Sequence, residues 1–455
     1  PHRKRPLPDR EAGRCRVGRP VGDQAGRVNS STPTPQGRIS NLCSGGLEPD
    51  MLLATSGDKL FVRNGEGRGP AQLPAPHHAG HAEALMNAAT RPPDNSGVTR
   101  RRLLAAGGLA AAAVLTGTAR AAARRRGIPL GYDNFAVRAL KWNARQLVDH
   151  AEKLRCDSLF ITDFGPFEGR FDDASLGELR RYAAARGVGL VLGSWSVCPT
   201  SKTFKNDWGT AEEHLGLGIR MAKALGSPAF RVVLGNQEDR KSDGGIAARI
   251  ADTVAVLTKC RPLAEDAGVR IAIENHAGDM TSRELAGLVA EAGGGVVGVN
   301  FDSGNACWTL EDPVCALANL APHVATTSLR DTMAWNTPAG VSCQWTAMGE
   351  GCTDLHAFFD LFEQACPGVA VHIETISGFP RAFPIFDREF WKLFPDGRAE
   401  DLAAFLAVAR RGRPIEPFRP PAGEKQAAAE QEYQLAELAR SITFCRDTLG
   451  LGVRG

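Results

Sequence analysis

IAIENH, residues Ile271 to His276, is the stretch whose reading decides the fold. An apolar run of strand length ends on a carboxylate, Glu274, followed by two more polar side chains. Buried parallel strands read as short β-branched runs, and a polar site can open at their carboxyl ends. The same figure recurs downstream. VVGVNFDSGN reaches Asp302, VATTSLRD ends on Arg330 and Asp331, and VAVHIET delivers Glu374. A helix-like segment separates each run from the next. Consecutive strand–helix units that bring polar chemistry to one rim predict a (β/α)8 barrel.

Upstream the alternation continues. IPLGYDNFAV from Ile128, SLFITD from Ser158, VGLVLGSW from Val188 and AFRVVLG from Ala229 read as the first strands. Helix-period sequence follows each, as in NARQLVDHAEKL from Asn143, the stretch Thr210 to Leu225, and Ile246 to Ala267. Alternation sustained this long favours a closed parallel barrel over an open doubly wound sheet. No GxGxxG turn follows the first strand, which argues against dinucleotide binding. The reading is an α/β TIM barrel over 128–376 with a C-terminal helical extension over 377–455. That extension carries helices at Asp401 to Arg410 and Gln426 to Leu449 and is expected to pack on the barrel wall or a neighbouring subunit, a homo-oligomer being compatible.

The chain has 455 residues, 43% of them hydrophobic, enough for a large core. Its net charge of +3 is too small to argue for a nucleic-acid partner. Residues 1–85 are rich in Pro, Gly, Arg and His without an apolar period, so they read as disordered or as lying upstream of the true start at Met86. Residues 86–123 read as a leader and twin-arginine signal peptide. Arg100 to Arg102 precede an apolar run of about fifteen residues that closes on small ones, Ala121 to Ala123. The expectation is export to the periplasm, with the twin-arginine machinery as transit partner. Of 11 cysteines, Cys15 and Cys43 lie upstream, and the scattered remainder forms no CxxC site. Cys343 and Cys352 could pair across one loop.

IENH, NFDSGN, SLRD, MGEGCTDL (Met348 to Leu355) and HIET occur in the order and spacing of a known family. With them the chain resembles the xylose isomerase-like superfamily of sugar isomerases and epimerases. The resemblance implies a divalent metal, Mn2+ or Mg2+ before Zn2+ or Co2+, among Glu274, Asp302 and Glu374. The family's histidine ligand falls on Ser328 and a second family histidine on Asn305, so His276 and His372 are further candidates. Glu274 and Glu374 would stand across the barrel mouth and move a proton at carbons next to a carbonyl, through an enediolate. Asn275, Asn305 and Arg330 could donate to substrate oxygens. Trp195 and Trp308 could stack on a sugar face.

Three functions compete on this sequence. The first is an exported metal-dependent isomerase or epimerase, or a related lyase, acting on a small sugar or hydroxy-keto compound. The second is a relative that binds carbohydrate without turning it over, favoured by the missing histidines. The third, an endonuclease-like hydrolase, lacks the histidine cluster and the basic groove it would need.

Overall fold

The structure is a computed structural model that describes residues 124–454 and three short strands between 41 and 64. The signal-peptide reading over 86–123 lies outside the described residues. Asn41–Ser44, Met51–Ser56 and Lys59–Asn64 form an antiparallel meander in the segment where the sequence reading placed no element.

From residue 124 the chain builds the barrel. Its parallel strands are β1 (Leu130–Asp133), β2 (Ser158–Ile161), β3 (Gly189–Ser196), β4 (Ala229–Val233), β5 (Arg270–Glu274), β6 (Val297–Phe301), β7 (Val324–Thr327) and β8 (Val371–Ile373). Neighbours in sequence pair in order, and β8 pairs with β1. The remaining seam is closed by one bridge, Leu329 to Ile373, with Leu329 N donating to His372 O at 2.7 Å.

The helices that follow are α1 (Ala144–Lys153), α2 (Asp173–Ala184), α3 (Ala211–Leu225), α4 (Gly245–Ala267), α5 (Ser282–Gly293), α6 (Pro313–Leu320) and α7 (Leu355–Ala365). Their starts are written in the sequence. Asn143 with Gln146, Thr210 with Glu213, and Thr281 with Glu284 form reciprocal capping boxes that satisfy otherwise orphaned N–H groups. Gly226 and Gly268 end α3 and α4 in the left-handed region, at φ 73 and 66.

One feature of the described chain has no counterpart in the sequence reading. After β7 the chain does not go directly to α7. Asp331–Thr337 and Gly340–Thr346 form an antiparallel hairpin over the rim, and Arg381–Phe383 adds a third strand to it. Asp331 anchors its base by accepting from the backbone N–H groups of Thr332, Gly349, Gly351 and Thr353. The MGEG turn wraps this carboxylate so closely that a Cβ on Gly351 would lie 2.3 Å from Asp331 Oδ1.

The C-terminal extension carries the two helices that the sequence placed there. Its first helix, α8 (Ala399–Ala409), packs on the rim hairpin. Its second, α9 (Gln426–Asp447), packs against β1 and β8 and buries Leu438, Ile442 and Cys445 in the barrel's own core. It therefore takes the place of the eighth barrel helix. The nine cysteines of residues 124–454 are free, Cys343 and Cys352 included. Among the described residues no helix is long and apolar enough to cross a membrane.

Candidate active site

Glu274 ends β5, Asp302 follows β6 and Glu374 follows β8. One oxygen from each lies within 4.8 Å of the others, and all three residues are buried. By spacing alone they could hold a metal ion. The two glutamates reach toward one another from β5 and β8, and two arginines pair with the acids there.

Arg231, in the middle of β4, is 1% exposed. Its Nε donates to Glu274 Oε2 at 2.6 Å and its Nη1 to the Ser194 carbonyl at 2.9 Å. Gly193 on β3 makes the room. A Cβ there would lie 2.9 Å from the Phe160 ring and 3.3 Å from Arg231 Cβ. Arg330, just past β7, bridges Asp302 and Glu374 through Nη2. Trp345, from the end of the rim hairpin, covers this guanidinium at 4.3 Å and stacks on Trp308 with centroids 4.1 Å apart.

Two amides complete the cluster. Asn300 Nδ2 donates to Glu274 Oε2 at 2.8 Å and to Ser328 Oγ at 3.2 Å. Asn305 Nδ2 donates to Glu274 Oε1 at 3.2 Å and Asp302 Oδ2 at 2.7 Å. Ser328 Oγ in turn donates to Asp133 Oδ2 at 3.2 Å, which brings a fourth buried acid, from the end of β1, into the interior.

The acids differ in what remains free. Both oxygens of Glu274 are taken, and its side chain is 1% exposed. Burial acts to raise its pKa, but Arg231, His276 and Arg330 outweigh it and hold the carboxyl below its ordinary value. Asp302 caps the turn Ser303–Ala306 through the N–H groups of Gly304 and Asn305 and spends its other oxygen on Asn305 and Arg330. Burial, opposed by Arg330 and reinforced by Glu274 and Glu374, pushes it up to about 8. Burial also raises Glu374 against the pull of Arg330. Its Oε1 takes no hydrogen bond among the described residues, and its side chain keeps 5% exposure. Glu374 is the carboxylate of the three with an oxygen to offer a ligand.

The other expected residues fall in distinct places. Asn275 spends its amide on Asp302, donating to the carbonyl at 2.8 Å and accepting from the N–H at 2.9 Å, so it positions that residue. His276 is half-buried, with Nδ1 on the Gly235 carbonyl at 2.6 Å and Trp195 edge-on to its ring. His372 faces Ser158 Oγ at 2.9 Å and the Phe160 ring inside the barrel, where burial lowers its pKa to about 4. Neither histidine joins the carboxylate cluster. Trp195, 39% exposed, lies at the rim beside Phe135.

Asp133, Arg231, Asn300 and Trp345 escaped the site assignment drawn from the sequence. A signal for Arg231 was present: a full charge amid AFRVV, a strand otherwise fit for burial, must find a buried partner.

The donor set does not suit a resident divalent ion. Three carboxylates of this kind favour Mn2+ or Mg2+ only while their oxygens are free to ligate. Here Arg231 and both asparagine amides occupy Glu274, and the Arg330 guanidinium lies on Asp302 and Glu374 together. Ser328, at the place of the expected imidazole, is spent on Asp133 and Asn300.

The profile of the xylose isomerase-like TIM barrel family matches residues 148–406, more than half of the chain. The uncharacterized protein YihM of Escherichia coli (strain K12) is 30% identical over 102 residues, which span 22% of this chain and 30% of YihM. Among solved structures, a D-psicose 3-epimerase in the presence of D-fructose aligns with TM-score 0.47 at 15% identity, over 71% of this chain and 100% of that one. A xylose isomerase-like TIM barrel protein from Mycobacterium smegmatis in complex with magnesium aligns with TM-score 0.44 at 14% identity, over 63% and 99%. With the parallel barrel and the extent of the profile match together, the chain belongs to the xylose isomerase-like TIM barrel family.

Proposed function

We propose that the protein is an isomerase or epimerase of a small polyhydroxylated carbonyl compound, a keto sugar or hydroxy-keto acid. The observation that carries this reading is the state of Glu374: a buried carboxylate of raised pKa with one oxygen left free. Such a group is matched to taking a proton from a carbon beside a carbonyl and returning it. The amides around it suit a polyol. Asn300 Oδ1 and Asn305 Oδ1 are buried without a partner and can accept from hydroxyls. Trp195 at the rim offers an apolar face to a sugar ring.

Glu274 takes a different role from the one a symmetric pair would give it. Fully paired and held ionised, it fixes Arg231, Asn300 and Asn305. This saturation also favours the second reading, carbohydrate binding without turnover. The two separate in deuterium oxide. Incubation with a panel of ketoses, oxidised inositols and hydroxy-keto acids should wash deuterium into the carbon next to the carbonyl of one of them. Tight binding of a panel member without exchange would leave only the binding reading.

Export along the twin-arginine route belongs to the same proposal. Replacing Arg100, Arg101 and Arg102 with Lys should hold the protein in the cytoplasm, as fractionation would show. Equal export of parent and variant would refute that route.

A further inference from the structure

We propose that the Arg330 guanidinium supplies the cation of this site, so that the protein works without a divalent metal. The inference rests on the proton-transfer reading above and deepens it. Arg330 is 2% exposed, and its Nη2 lies on both Asp302 and Glu374, where an ion held by the acid cluster would need their oxygens. Its Nε and Nη1 are buried and have no partner within the chain. Leaving such donors unsatisfied costs about 1–3 kcal/mol each. A guanidinium with one nitrogen fixed on carboxylates and three N–H bonds left over is built to receive oxygens. Trp345 Nε1, also buried and unpartnered, adds a donor from the indole that covers the guanidinium.

The second arginine makes the substitution self-consistent. Arg231 neutralises Glu274, and Asn300 and Asn305 brace the same carboxylate. The two guanidiniums together bring the two positive charges that one divalent ion would bring. Ser328, where an imidazole would complete a metal's ligand set, is turned to Asp133 instead.

In the reaction, the carbon–hydrogen bond next to the carbonyl breaks and its proton passes to Glu374 Oε1. The electron pair moves into the carbon–carbon bond and the carbonyl pair onto oxygen, giving an enediolate. One of the free N–H groups of Arg330 holds that oxygen. Glu374 then returns the proton to the neighbouring carbon while the hydroxyl proton moves from one oxygen to the other, which gives the isomer and consumes no oxidant or further reactant.

Metal titration tests this without any substrate, so failure to find a turned-over sugar would count against the proton-transfer reading and not against this one. After chelation and dialysis, calorimetric titration of the wild-type protein with Mn2+, Mg2+, Co2+ and Zn2+ should show no stoichiometric binding. Arg330→Met removes the resident cation from between two acids and should raise Mn2+ affinity about 10–100-fold. One equivalent of metal bound by the wild-type protein at micromolar concentration would overturn the proposal. So would an Arg330→Met protein whose metal affinity is unchanged. Should that variant fail to fold, the wild-type titration and Arg330→Gln, closer in shape, still decide.

Discussion

Glu374→Gln should lower kcat by about 10²–10⁴-fold, the span that a positioned general acid–base contributes. The amide keeps the volume of the side chain and can still accept from Arg330 Nη2, so the cluster around Asp302 should hold together. What it loses is the capacity to carry a proton at Oε1. Near-parental kcat on a substrate that shows exchange, with an unchanged circular dichroism spectrum, would rule out Glu374 as the carrier. Glu274→Gln is a less clean test. Its carboxylate faces Arg231 at 2.6 Å, and neutralising it removes a buried counter-charge along with any chemistry.

Arg231→Met should cost about 3–5 kcal/mol of stability, because it leaves Glu274 buried without its cation. The pair is among the least accessible in the molecule, with side chains 2% and 1% exposed. Urea unfolding at neutral pH would measure the loss as a fall in midpoint. Arg231→Met combined with Glu274→Leu should recover much of it, since removing both charges leaves nothing unpaired. A loss under about 1 kcal/mol in the single variant, the range of an exposed ion pair, would mean that water reaches this part of the barrel.

Much of the barrel was legible because its strands are short and apolar and most are followed by a capped helix. Glu274, Asp302 and Glu374 were legible for the same reason, since each breaks an apolar run at its carboxyl end. Arg231 lies inside such a run and was passed over as strand. Its partner sits on the next strand, a relation that one-dimensional spacing does not carry. The rim hairpin was missed because DTMAWNT and GVSCQWT were absorbed into a long loop, although Thr337 and Gly340 are only two residues apart across the turn. His276 and His372 were placed near the acids by the period of a strand. Parity sets the side of the sheet but not the height along the barrel, and His372 lies on the interior side facing Ser158.

The helix α9 has a consequence for how the protein is made. Arg126 donates its Nε to Leu449 O across 323 residues, and β1 keeps an uncovered flank until that contact exists. At ~5–20 residues per second, the ribosome needs roughly 15–60 s to deliver the missing helix after β1 has emerged. During that interval an apolar face of the barrel wall is open to other chains. A nascent barrel in this state is a natural client for a holdase, and fusions or truncations that cut into residues 426–452 would prolong the exposure indefinitely.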